Sequence, residues 1–408
     1  MAQNSSAVLL LEDYLPILSV DNSSLPNGSS SGANGLDDDD DPLPYHGAEL
    51  GRFHEWYTGN LHGYLSMTVC IFGIVANVLN IIVLTRRNMV SPTNSILTGL
   101  AVADILVIAT CLPYTVQTHV LPSARRQSYA VAVLILVHAH VSVVFHTVST
   151  WLTVTLAVWR FLTVSFPASS KAWCSITRAR WVVVSVYLTC AVCCLPVYLS
   201  FTVHRAGSLE DPSYRVDFSN IARANGAFLQ NLNFWTYSVL MKLVPCVALT
   251  GLSLGLLRVL YKAKARKKRL RGGASGSSRS SEDARDRTTR MLLAVLLLFL
   301  VTEFPSGIAA LLSGILGDDF FIHVYMNFGE VMDILALVNS AVNFVLYCSM
   351  SRQFRKVFAA LFAPRIGQSV EPKFISVRFE FGFTAFDSVP VRFRGAKNNG
   401  SNPLEPLN

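Results

Sequence analysis

The chain has 408 residues and a formal net charge of +8, but only 15% of its residues are charged against 51% hydrophobic. A soluble chain carries about a quarter charged residues, and a mean hydropathy of +0.41 with apolar residues gathered in long blocks excludes an ordinary soluble globule. The basic residues lie between those blocks, which assigns them to a membrane surface and partner proteins and not to nucleic acid.

Residues 1–60 read as a disordered tail, rich in Ser, Asn, Gly and Asp, with the run Asp37 to Asp41 and no Lys or Arg before Arg52. Asn4, Asn22 and Asn27 each open a glycosylation triplet. The apolar stretch Ala7 to Leu11 is short, lacks a basic flank and stops at Glu12-Asp13, so no cleaved signal peptide is expected.

A helix needs about 20 apolar residues to cross a bilayer. Seven stretches qualify, near 62–85, 95–119, 129–160, 178–203, 233–263, 287–314 and 321–349. Arg86 and Arg87, then Lys171, Arg178 and Arg180, then the dense run Lys262 to Arg271 all fall on one side of these spans. The positive-inside rule puts that side in the cytoplasm and the acidic N-terminal tail outside. Residues 351–362 form an amphipathic interfacial helix, with Phe354, Phe358, Leu361 and Phe362 on one side and Arg352, Arg355 and Lys356 left for the headgroups. The reading is an all-α membrane protein: a seven-helix bundle over 61–350, a short eighth helix over 351–362, and a disordered cytoplasmic tail over 363–408. None of the eight cysteines lies in the outer tail or in the outer loop 204–232, so a disulfide pinning that loop to span three is not available.

Charges inside a span are costly and turn toward the bundle interior. Here they are Asp104, Lys242, Glu303, Glu330 and Asp333, joined by His138, His140 and His146. For any single one, mutual satisfaction inside a packed bundle is a sufficient reading. In span three, however, His138, Ser142, His146, Ser149, Thr153 and Arg160 recur on one helical face. Span seven repeats the pattern with Glu330, Asp333, Ser340, Asn343 and Tyr347, with Asn339 beside them. Two polar stripes imply a hydrated interior. Pro113, Pro196, Pro245 and Pro305 add kinks in spans two, four, five and six. A transporter would show an internal repeat and broken helix pairs, and the sequence shows neither.

Across 62–362 these residues resemble the rhodopsin-like G-protein-coupled receptors. The resemblance rests on Ala76-Asn77, Leu100 to Asp104, Trp159-Arg160-Phe161, Phe299 to Pro305, and Asn339 to Tyr347, in that order. Trp159 stands where an acidic residue normally precedes the span-three arginine, and Glu303 where a tryptophan is usual. Phe344 replaces a proline, and Ile135 occupies the usual cysteine position. With the blocks Trp151 to Arg160, Thr302 to Pro305 and Met332 to Ser340, the chain resembles the invertebrate myosuppressin and FMRFamide-related receptors. Sex-peptide-type receptors are an alternative within the same branch.

The resemblance implies a peptide ending in an amidated Arg-Phe and a heterotrimeric G protein of the inhibitory class. It implies no cofactor. A buried arginine needs a carboxylate, and Asp333 is the first choice, with Glu330, Glu303, His146, His138 and Lys242 around it. Asn77, Asp104, Ser149, Asn339, Ser340 and Asn343 match a hydrated cluster able to hold sodium, or water alone. Arg160, Trp159, Phe299, Pro305 and Tyr347 match the residues that switch the G-protein side.

Lys242 lies three residues before Pro245 and Glu303 two before Pro305, which predicts a buried ion pair between spans five and six. Glu303 kept for the ligand, or protonated, is the competing reading. Other classes fit less well. Span seven has no lysine for a retinal Schiff base, and Ser142 stands where an amine receptor carries aspartate. The three histidines of span three lack a further ligand set for a metalloenzyme. A channel stays open on composition.

Overall fold

The computed structural model describes residues 48–121, 128–207, 212–224, 228–270, 279–316 and 320–362. The tail triplets at Asn4, Asn22 and Asn27, and the segment 363–408, lie outside the described residues. Among the described residues, seven helices are long and apolar enough to cross a membrane: Glu49–Leu84, Pro92–Val120, Tyr129–Ser165, Ile176–Ser200, Asn231–Val259, Leu297–Leu316 and Phe321–Ser349. They are called spans one to seven. Span one starts well before residue 62, so the stretch 48–60, read as part of the tail, is helical.

Local sequence explains where several spans begin. Ser91 accepts the backbone N–H of Asn94 at 3.1 Å, and Pro92 follows at the first helical position. Ser128 and Ser175 cap spans three and four in the same way, at 3.3 Å to Val131 and 3.3 Å to Arg178. Span three is the axis of the bundle: 61% of its most apolar window is buried, against 17% for span four. Span four keeps Trp181, Leu188 and Val192 on an outer apolar face suited to lipid. It breaks at Cys194, just before Pro196, and ends at Ser200.

Beyond Ser200 the chain adds something the sequence reading did not include. Residues Phe201–Gly207 (β1) and Pro212–Phe218 (β2) pair as an antiparallel hairpin, with Phe201 opposite Phe218. Their rings stack at 5.1 Å. Phe201, Val216 and Phe218 share one buried cluster with Val131, Ile135 and Ala139 of span three and Tyr237 and Met241 of span five. Ile135 therefore belongs to an apolar attachment of the outer loop. All eight cysteines are free thiols.

At the opposite end, Arg352–Phe362 forms the eighth helix. Phe354 is buried, with ring centroids 6.0 Å from Phe344 and 5.8 Å from Tyr347. Phe344, the residue in place of the usual proline, also meets Phe358 at 5.7 Å and so helps to dock this helix. Leu361 and Phe362 stay exposed. Arg355 does not reach outward as its amphipathic position suggests. Its Nη1 donates to the carbonyls of Cys348 at 3.0 Å and Ser349 at 2.8 Å, capping span seven.

Candidate ligand pocket and switch residues

Six of the seven spans converge on a cleft at the hairpin end of the bundle; span four takes no part. His62, Tyr114, His138, Ser142, His146, Tyr237, Lys242, Ser306, Met332 and Asp333 are on its wall. Four of the predicted ligand residues, Asp333, His146, His138 and Lys242, thus face one cavity. Glu303 and Glu330 are buried behind it.

Among the described residues, short π-helical segments shape this region, at Thr58–His62, Val116–Val120, Thr236–Leu243 and Phe321–Tyr325. Such wide turns are rare and recur at functional sites, because the extra residue re-aims the side chains that follow. The turn in span five carries Lys242. Its Nζ donates to Glu303 Oε2 at 3.0 Å and lies 5.7 Å from the Tyr237 ring centroid. The pair expected from depth is present, and it has a third member. His146 Nε2 lies 3.1 Å from the same Glu303 oxygen. Spans three, five and six are tied through one carboxylate whose other oxygen, Oε1, is buried without a partner among the described residues. A lone buried carboxylate would cost several kcal/mol, roughly, and this arrangement offsets much of that cost.

Glu330 pairs differently from the sequence reading. Its Oε2 lies 2.7 Å from His62 Nε2, both side chains being buried, and Ser66 Oγ lies 3.2 Å from the same nitrogen. The His119 ring is 4.9 Å from that of His62. His62 and His119 were missed because the sequence reading puts them at the ends of spans one and two, where polar residues are ordinary; in the structure His62 lies inside span one. His138 stacks on Tyr114 at 4.4 Å and meets Thr110 Oγ1 at 3.2 Å.

Deeper in the bundle, Asp104 Oδ1 accepts from Ser149 Oγ at 2.7 Å and Oδ2 from Asn343 Nδ2 at 3.1 Å. Ser340 also hydrogen-bonds to this carboxyl group. Asn77 Nδ2 bridges the carbonyls of Gly73 and Ser340 at 3.0 and 2.9 Å, joining spans one and seven. The half-buried Asn339 does not join this network among the described residues.

Toward the far end, Trp159 is buried among Leu97, Leu100 and Leu156. Arg160 is half-buried beside Tyr347, and neither its Nε nor the Tyr347 hydroxyl has a partner among the described residues. Phe299 is buried with Val154, Cys246 and Leu249, where spans three, five and six meet. Pro305 faces outward within a continuous helix.

The family profile described as serpentine-type 7TM GPCR chemoreceptor Srw matches residues 64–364. The chain is 33% identical to the G-protein coupled receptor dmsr-1 of Caenorhabditis elegans, over 74% of this chain and 68% of that protein. It is 28% identical to the Sex peptide receptor of Drosophila melanogaster, over 76% and 74% of the two chains. Similarity to the FMRFamide receptor of Drosophila melanogaster is 22% identity, over 78% and 56%. The seven-helix bundle and the match across nearly all of it show that this chain belongs to the serpentine seven-transmembrane G-protein-coupled receptors, and is a receptor and not an enzyme.

Proposed function

We propose that this receptor is activated by a short extracellular peptide ending in an amidated Arg-Phe, and that it acts at the plasma membrane through an inhibitory-class G protein with its N-terminus outside. The observation that carries the reading is the position of Asp333: a half-buried carboxylate on the wall of a cleft built by six spans. Glu303 and Glu330 lie behind the wall against Lys242, His146 and His62. A ligand guanidinium meets Asp333 first and gains a charge-assisted pair in a largely desolvated site. Tyr114, Tyr237 and Met332 supply aromatic and thioether surface for a terminal phenyl ring. The names of the FMRFamide and Sex peptide receptors among its relatives agree with a peptide ligand.

No covalent step is required. The peptide needs only to bind one arrangement of the bundle better than the other. The triad on Glu303 links the pocket wall to span six, and Phe299 on the same span packs against spans three and five. The cluster around Asp104 suits a small hard cation: a carboxylate and two hydroxyls, with the Asn77 carboxamide oxygen buried and unpartnered nearby. We assign it to sodium, as a brake on the active arrangement.

The test is peptide-evoked guanine-nucleotide exchange in membranes holding the receptor and inhibitory-class G protein. An amidated Arg-Phe peptide should stimulate exchange. Its free-acid form and a citrulline-for-arginine analogue should be at least about tenfold weaker. Stimulation by sex-peptide-type ligands with no response to Arg-Phe amides would select the second reading, which the 28% identity to the Sex peptide receptor favours.

A further inference from the structure

We infer that His62, His119 and Glu330 form a binding site for a divalent transition ion of the zinc type, bridging spans one, two and seven at the hairpin end of the bundle. One ligand atom from each residue lies within 4.8 Å of the others. His62 and Glu330 are both buried.

Four further observations point to a ligand between these side chains and not to a plain ion pair. His62 Nε2 and Glu330 Oε2 approach to 2.7 Å, but that nitrogen meets Ser66 Oγ at 3.2 Å and neither Glu330 oxygen has a hydrogen-bond partner among the described residues. Their donor atoms converge without satisfying each other. The His62 and His119 rings are tilted by 53° and do not stack. Both histidines sit on π-helical turns, Thr58–His62 and Val116–Val120, which rotate them toward span seven. Between the two helices stands Gly63, where a Cβ would come within 2.6 Å of His119 Cβ. The glycine permits the approach that brings the second imidazole in.

Two imidazoles and one carboxylate are a zinc ligand set that leaves a fourth position open. Magnesium and calcium prefer an all-oxygen set, so nitrogen donors select against them. Small shifts of the side chains would open the 2.7 Å contact to the spacing of two atoms bound about 2.0–2.2 Å from one ion. His62 also lines the cleft, so the open position is next to the ligand cavity. The ion ties three spans at one point. The site stands independently of which peptide activates the receptor, and a direct binding measurement tests it without any agonist.

The experiment uses the full-length receptor in nanodiscs, purified without a histidine tag. Zinc chloride is titrated in competition with a fluorescent chelator, and cobalt(II) chloride is followed by visible absorption. One zinc should bind per receptor and raise the melting temperature, while magnesium chloride does neither. His119→Ala should weaken zinc binding by at least about tenfold, and His119→Cys should restore it, because a thiolate is also a zinc ligand. Should His119→Ala not fold, the wild-type cobalt spectrum, and its loss when zinc is added, decides. Failure of the wild type to bind stoichiometric zinc at micromolar concentration overturns the site. So does unchanged affinity in His119→Ala.

Discussion

Lys242 Nζ and Glu303 Oε2 lie 3.0 Å apart and join spans five and six at the floor of the ligand cleft, with His146 of span three on the same oxygen. Removing one partner of such a pair leaves an uncompensated buried charge, a loss of about 3–5 kcal/mol. Lys242→Glu and Glu303→Lys should each abolish cell-surface expression or signalling, and the double exchange should recover part of both. His146 limits the recovery, because the exchanged lysine at 303 faces it. Adding His146→Gln to the double exchange should therefore improve expression further. A double mutant no better than the worse single mutant would dismiss the pair as a stabilising link.

Asp333→Asn should raise the half-maximal concentration of an amidated Arg-Phe peptide by about tenfold or more, since losing a hydrogen-bonded charge partner costs about 2–5 kcal/mol. Surface expression should be unchanged. A citrulline-substituted peptide should lose little further potency on this mutant. Equal penalties for citrulline on mutant and wild type would place the ligand arginine elsewhere, with Glu330 next in line.

Arg160 has a packed Trp159 where a carboxylate usually restrains it, and its Nε is without an acceptor among the described residues. The resting state is then held by packing more than by ion pairing. Agonist-free nucleotide exchange should be measurable, and Trp159→Asp should lower it. Trp159→Ala, which removes packing without adding a charge, should not. A flat baseline in the wild type at high expression would count against this account.

Replacing N-methylglucamine chloride by sodium chloride at constant ionic strength should reduce agonist potency several-fold if the Asp104 cluster holds sodium. Asp104→Asn should remove that dependence. Identical curves in the two salts for the wild type would leave the cluster as a hydrogen-bond network.

Much of this architecture is written in long-range periodicity. The stripe His138, Ser142, His146, Ser149 and Thr153 is buried along its length, and charges at matched depth in spans five and six do meet. The parts that escaped have local causes. A π-helical turn is one extra residue inside an otherwise regular helix and leaves no change in hydropathy, so the aim of His62 and His119 could not be read. The alternation of Tyr214, Val216 and Phe218 does carry a strand signal, but its partner begins at Phe201, directly after span four, and the sequence reading divides it between that span, ending at 203, and the outer loop. Glu330 shares a helical face with Asp333, which suggested a common role. Only the approach of span one shows that its nearest neighbour is a histidine.

The hairpin is held to spans three and five by Ile135, Phe201, Val216 and Phe218. Maturation of this receptor therefore needs no oxidative folding step to set its outer loop, and mild reductants have no covalent bond there to cut. Apolar attachment also has the thermal signature of the hydrophobic effect, weakening on cooling. The hairpin should loosen in the cold, with faster exchange of its backbone amides, while the hydrogen-bonded helices it packs on hold.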